Sequence, residues 1–253
     1  MARLLVVAAL AAALTAIGHA QAPRPLPDRA TLFKETQANL ARATREQDRY
    51  GYKERRTEIH TNPFGRIGTD DDVVVYEVTP APEPGVTYRK LLQRNGQAVP
   101  DAKPERQERR ERRQTVSGID DVVNTLDFVM DRREMRDGHE LIAVTFKAKP
   151  GARPQTREGR LAKIFTGTIF VDEAAREVRR VEGTAIDSIS LGFGVIARLN
   201  EGTRVTLTRE PAAGGIWLPT SIRFAGDGRA MLFRKLTVDF AIDWFDYKVV
   251  RQK

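Results

Sequence analysis

The sequence predicts a mainly β domain: a strongly curved antiparallel sheet, in effect an incomplete β-barrel, with two helices covering its concave side. Three observations lead there. In Lys235–Tyr247, Leu236, Val238, Phe240, Ile242 and Trp244 alternate without a break against Thr237, Asp239, Ala241, Asp243 and Phe245. A strict period of two marks an antiparallel strand with one buried face. At ~3.4 Å per residue the run would span roughly 44 Å, well beyond the usual strand, so it must twist and coil. From Arg132 onward the chain reads almost entirely as strands and turns, with no βαβ rhythm and no repeat of fixed period. Before that come two amphipathic segments, Asp28–Asp48 and Ser117–Met130, whose apolar stripes need a surface to cover.

The first residues read as an export signal. Arg3 supplies the positive start, Leu4–Ile17 the apolar run, and Gly18-His19-Ala20 the small residues before a cut near Ala20. The run is shorter than the ~20 residues that a membrane-spanning helix needs. The expected organisation is a signal peptide over 1–20, a flexible proline-rich entry over 21–27, and one curved-sheet domain over 28–250. A charged helical insertion is expected at 98–135. The chain has no cysteine, so disulfides, thiolate chemistry and thiolate metal sites are excluded. An exported chain of about 233 residues must then be stabilised by its core. The net charge is +8. This reads first as a basic, well-solvated surface; if it has a counterpart after export, an anionic membrane surface or an envelope protein is expected, not nucleic acid.

Taken in order, Asp28 caps the first helix, along which Phe33, Thr36, Leu40 and Ala43 form a narrow stripe. Tyr50–Thr61 is a charged strand, broken by Asn62-Pro63 and by Gly65 and Gly68. Val73–Thr79 and Tyr88–Arg94 are strands, the second turning at Asn95-Gly96, a strong hairpin signal. Ala102–Gln114 pairs Glu105 with Arg109 and Glu108 with Arg112 at helical spacing, an exposed helix or an arginine stripe diluted by glutamates. Ser117 with Asp120 resembles a capping box. Ile119, Val122, Val123, Leu126, Val129 and Met130 follow as a broad stripe, with Phe128 pointing elsewhere. Glu140–Lys147, a loop Ala148–Gly159, and a hairpin of Ile164–Val171 and Val178–Ile186 come next. Arg204–Arg209 and Ile216–Phe224 follow, and a Gly226-Asp227-Gly228 turn leads into the long final strand. The expected total is nine to eleven strands.

Catalytic and metal signatures are thin. His60 and His139 are the histidines left after processing, with neither G-x-S-x-G nor H-E-x-x-H around them. Asp70-Asp71-Asp72 lacks the spacing of an EF-hand and reads as a solvated turn. Gly192–Ala197 matches G-x-G-x-x-A, but a dinucleotide site needs a βαβ frame that the chain does not offer. No cofactor, metal site or enzymatic activity is expected. Ile189–Leu199 is apolar around two glycines, either a strand bent there or the lip of an apolar pocket.

Tyr88–Gly96, Gly167–Asp172, Val178–Gly183, Ile216-Trp217-Leu218-Pro219 and Ile242–Tyr247 resemble stretches in a group of exported bacterial proteins. The run GTIFVD … VRRVEG … WLP also resembles the second half of the outer-membrane lipoprotein-sorting carriers of the Lol system, a LolA/LolB-like fold. That resemblance implies a curved sheet whose helix-covered cavity takes up a lipid or lipoprotein acyl chain. The residues expected to line the cavity are Leu236, Val238, Phe240, Ile242 and Trp244, joined by Ile222, Phe224, Val205, Leu207 and Phe193. The alternative is a non-catalytic envelope interaction or scaffold protein whose cavity is plugged by helix side chains. The same burial pattern serves both, so only the space above the sheet separates them.

Overall fold

The computed structural model describes residues 24–58, 72–83, 85–108, 117–192, 196–230 and 234–250. The predicted export segment, His60, Asp70, Asp71, the arginines at 109–113 and Phe193 lie outside them. The described residues form one antiparallel sheet of 14 strands whose main path ends on two different strands, so it does not close into a barrel. Along that path come β4 (Gln97–Ala98), β3 (Val86–Arg94), β2 (Asp72–Pro80) and β1 (Tyr50–Glu58). They are followed by β14 (Arg234–Val249), β13 (Trp217–Ala230), β12 (Arg204–Pro211) and β9 (Glu177–Ala185). The path finishes with β8 (Phe165–Asp172), β7 (His139–Ala148) and β6 (Leu126–Arg136). Off it lie β5 (Glu105–Glu108) on β3, and β10 (Ile189–Gly192) with β11 (Ile196–Leu199) against β13. Three helices accompany the sheet: α1 (Arg29–Glu46), α2 (Gly118–Thr125) and α3 (Arg157–Ala162).

The mainly β, curved and open sheet is the predicted one, and the long alternating strand is β14. Asn95 and Gly96 both have positive φ, 51° and 79°, as a tight hairpin turn requires. Several local expectations are corrected. The helix foreseen to Met130 stops at Thr125, because Leu126, Phe128 and Met130 alternate and pair with Ala148, Phe146 and Val144. An apolar run that matches both periods becomes a strand when a hairpin partner is available. Phe128, unexplained as a helix residue, is thereby an inward strand residue. In the charged insertion, Glu105–Glu108 is a strand on β3, not a helix, since main-chain pairing with Val86–Arg89 outweighs weak surface ion pairs. The Gly226-Asp227-Gly228 turn is absent: β13 runs through it to Ala230, paired with β14 throughout. A third helix, α3, occupies the end of the presumed loop, capped by the Thr156 hydroxyl. The proline-rich entry is tied down from Arg24. The Arg24 guanidinium reaches Glu140 and Glu173 at 3.0 and 2.7 Å, Arg133 bonds the carbonyls of Arg24 and Pro25, and Leu26 packs on the core.

Register decides what lies on each face. Val144 opposes Ile169, Ile169 opposes Val181, Val181 opposes Leu207, and Leu207 opposes Ile222. Directly opposed residues share a face, so these side chains form one apolar floor across five strands. Leu32 of α1 is fully buried against Ile142, Val144 and Val171, which places the helix over that floor. Gly167 and Gly183 oppose each other within it. A Cβ on Gly167 would sit 1.9 Å from the Glu182 carbonyl oxygen, an approach that only glycine permits.

Two side-chain networks brace the frame. The Asp121 carboxylate, in α2, accepts from the backbone N–H of Gln155 and Thr156 and from the Thr156 hydroxyl, docking α2 against the entry to α3. On the sheet, Arg209 and Glu177 form a buried ion pair at 3.1 Å. Arg209 also donates to the carbonyls of Val178 and Trp217. Burial pushes the Glu177 carboxyl above its ordinary value and the Arg209 guanidinium below its own, each opposed by the other's charge.

Gly167→Ala is expected to destabilise the protein by about 2 kcal/mol in urea titration, because the strands must separate at a site where they touch. Arg209→Leu should cost about 3 kcal/mol by leaving the buried Glu177 with only the distant Arg42 guanidinium at 3.8 Å, and Glu177→Leu/Arg209→Leu should restore most of it.

Candidate functional site

Helix α1 is amphipathic with an unusually meagre apolar seat. Among its 18 residues, only Leu32, Thr36 and Ala43 are buried. Polar contacts along its length do the rest. Arg29 donates to the Phe128 carbonyl at 2.7 Å, Gln37 to the Asp120 carboxylate at 2.9 Å, and Asn39 to the Arg176 carbonyl at 3.0 Å. Glu35 pairs with Arg176 at 3.1 Å and Arg42 approaches Glu177 at 3.8 Å. The helix is therefore held to its neighbours at several points while its apolar stripe does not settle fully onto the sheet.

The space left beneath it is a cavity of about 690 Å³. Its roof is the stripe Phe33, Thr36, Gln37, Leu40, Thr44 and Gln47, one face of α1 running into the following turn. Ile119, Val122 and Val123 of α2 form a side wall, and Phe128, Val144, Ile169, Val171 and Val178 form the floor. Ser117, Gly118 and Glu158 complete the margin. At the N-terminal end of α1, the Phe33 and Phe128 rings meet edge to face at 5.9 Å, with the Arg29 guanidinium 5.3 Å from the Phe33 ring. This end is apolar and stacked, whereas Thr44 and Gln47 make the opposite end polar. The volume lies within the range of small-molecule sites, and the walls are mostly aliphatic and aromatic with a few polar groups at the margin.

Of the residues predicted to line a cavity, Val205, Leu207, Ile222, Phe224, Phe240, Ile242 and Trp244 are on the same face but beside this one. Val205 opposes Gly183, Phe224 opposes Val205, and Phe240 opposes Phe224. Ile222 opposes Leu207, and Ile242 opposes Ile222. Leu236 and Val238 are placed by backbone register opposite Gly228 and Gly226. None of the described members borders the cavity under α1. Val205, Phe224 and Phe240 instead pack on the core of Leu126, Phe146, Phe165 and Ala185, which Val122, Phe128 and Ile169 of the cavity also touch. The strip ends in polar side chains. Glu54 accepts from Arg89 and, at 3.2 Å, from the Trp244 indole N–H, and Arg56 lies 3.8 Å away. The Arg89 guanidinium rests 3.9 Å from the Tyr76 ring centroid.

Sequence reading missed the actual lining residues of β7 to β9 because their alternation is that of any buried strand. Phe33, Leu40, Val122 and Val123 were visible as stripes, but a stripe does not say whether it seats or spans. Among the described residues there is no group of three or more acidic or histidine side chains placed to hold a metal ion. Nor is any helix there long and apolar enough to cross a membrane.

Fold and site together define an open-sheet protein with an apolar cavity under a covering helix. No family model matches the sequence, and no curated protein matches it. Solved structures similar to it include a LolA superfamily protein from Nitrosomonas europaea, 12% identical, covering 89% of this chain and 95% of that one at a TM-score of 0.37. A DUF1329 family protein from Desulfovibrio piger is 13% identical over 85% and 93% of the two chains, TM-score 0.33. An outer membrane lipoprotein-sorting protein domain from Vibrio parahaemolyticus is 10% identical over 85% and 92%, TM-score 0.37. At these scores the superpositions are loose, and the account of the cavity rests on its own geometry.

Phe128→Ala should open the stacked end of the cavity and lower stability by about 2 kcal/mol, less than a fully buried phenylalanine would cost. Differential scanning calorimetry reads the loss, and uptake of a bulkier apolar dye reads the added space.

Proposed function

We propose that the protein is an exported, non-catalytic binding protein or carrier for an apolar ligand, an acyl chain of a lipid or lipoprotein. The observation that carries this reading is the cavity of about 690 Å³ beneath α1, walled by Phe33, Leu40, Val122, Val123, Phe128 and Ile169. Filling such a space needs no specific chemistry, since each buried methylene contributes about 0.8 kcal/mol. The plugged-scaffold alternative requires helix side chains to occupy that volume, and α1 buries only three residues. The export signal read in the sequence agrees with a role in the cell envelope. The strip Phe240, Ile242 and Trp244, with Ile222, Phe224, Val205 and Leu207, is the lateral extension of the same floor in this reading.

The full chain, stripped of lipid, should bind an uncharged apolar fluorophore. Val123→Trp, which fills the cavity from α2, should abolish that binding while circular dichroism and Tm stay near those of the parent. Phe240→Glu should weaken it less, because Phe240 touches the shared core and not the cavity. Unchanged binding in a folded Val123→Trp protein would refute the site.

A further inference from the structure

The sheet ends unevenly. β8 starts at Phe165 and β9 stops at Ala185 opposite it, while Arg204 opens β12 opposite Thr184 and Ala225. Beyond that line β13 and β14 run on as a pair to Ala230 and Arg234, joined by β11 and β10. From Ala225 to Ala230 this extension projects roughly 17 Å past the body of the sheet.

The register of the extension gathers positive charge. Arg198 of β11 opposes Arg229 of β13, and Arg229 opposes Lys235 of β14. Arg234 follows in the next row, opposite Ala230. Like charges directly opposed in a sheet are unfavourable, and an anion lying against the row relieves the repulsion. The flanking acidic residues Asp187, Glu201, Asp227 and Asp239 all lie on the side of the row toward the body of the sheet. The rest of β10 and β11 is mainly apolar, with Ile189, Leu191, Ile196 and Leu199.

The base of the extension continues the pattern. Ile186 donates its N–H to the Ile164 carbonyl at 2.8 Å, which brings α3 and the segment before it to this same end. Between 149 and 163 the sequence sets Lys149, Arg153, Arg157, Arg160 and Lys163 against one acid, Glu158. Arg153, Arg157 and Lys163 are exposed, and among the described residues none of the three forms an ion pair. Lys163 bonds only the Ala152 carbonyl. Elsewhere Arg132, Arg133 and Arg136 all pair with carboxylates. Amid these free cations Leu161 and Ile186 are 42% and 48% exposed. Cations with large apolar side chains between them suit a lipid interface, where phosphates meet the charge and the head-group boundary accepts the apolar groups. An acidic protein would satisfy the charge alone.

We propose that this end of the protein, α3 together with the β10–β11–β13–β14 extension, docks on the anionic, phosphate-bearing surface of a bilayer. Arg153, Arg157 and Lys163 face the phosphates, the row of Arg198, Arg229 and Lys235 adds its charge, and Leu161 and Ile186 enter the head-group boundary. The cavity under α1 takes no part, so this docking stands or falls separately from ligand binding.

The test is vesicle co-sedimentation of the chain from Gln21 onward, which keeps the whole described body and removes the apolar run at 4–17 that would bind lipid itself. Vesicles with about 30% phosphatidylglycerol should bind at least about tenfold more tightly than phosphatidylcholine alone. Raising salt to about 0.5 M should weaken that binding. Arg153→Glu/Arg157→Glu should lower it by about tenfold or more, and Arg229→Glu/Lys235→Glu should act in the same direction. Lys34→Glu/Lys103→Glu makes the same change in net charge on other exposed surfaces and should leave binding within about twofold. Leu161→Asp should weaken the binding that survives high salt. Equal binding to the two vesicle types, or a control pair that loses as much as Arg153→Glu/Arg157→Glu, overturns the proposal. Binding to polyglutamate as tight as to vesicles, and untouched by Leu161→Asp, overturns the bilayer in favour of an acidic protein.

Discussion

The structure depends on one constraint: the antiparallel register gathers more apolar side chains on one face of the sheet than the covering helices can bury. Val144, Ile169, Val181, Leu207 and Ile222 oppose one another from strand to strand, and Phe224 and Phe240 continue the row. Alternation leaves such a sheet no choice about which side is greasy, and water must be kept from that side by something. The cover is α1, yet α1 buries only Leu32, Thr36 and Ala43. The mismatch between a broad apolar floor and a narrow apolar stripe is what leaves a cavity.

A helix with so small a hydrophobic seat would not stay in place on apolar contact alone. It is held by polar contacts distributed along it: Arg29 to the Phe128 carbonyl, Gln37 to Asp120, Asn39 to the Arg176 carbonyl, and Arg42 toward Glu177. Most of these are exposed, where individual ion pairs contribute little, so their number matters more than any single one. Gln37 both lines the space and helps to hold the roof, whereas Arg29, Asn39 and Arg42 hold it from outside the lining. The buried Arg209–Glu177 pair and the Asp121 corner lie outside the cavity lining, where they brace the sheet and the α2–α3 corner without putting a charge beside a ligand.

Much of the fold was legible because its signals are local. Asn95-Gly96 announces its hairpin, the alternation from Leu236 to Trp244 announces β14, and Ser117 announces the start of α2. Where the reading failed, two local signals competed and a distant partner chose between them. Leu126 to Met130 fits helix and strand alike, and the hairpin with Ala143–Ala148 selected strand. Gly226 to Gly228 looks like a turn, but continuous pairing with β14 carries β13 through it.

By itself the sequence determined the class of fold and the face on which apolar side chains fall, since the period of two and the turn residues are written position by position. It placed Val205, Leu207, Ile222, Phe224 and Phe240 on that face but expected them to line the cavity, which they do not border. Only the tertiary structure decided where the floor stays uncovered. That outcome depends on the distance at which Arg29, Gln37, Asn39 and Arg42 hold α1 above β7 to β9, and on α2 ending at Thr125. Both are set by contacts between residues far apart in the chain, and a void has no residue of its own to signal it.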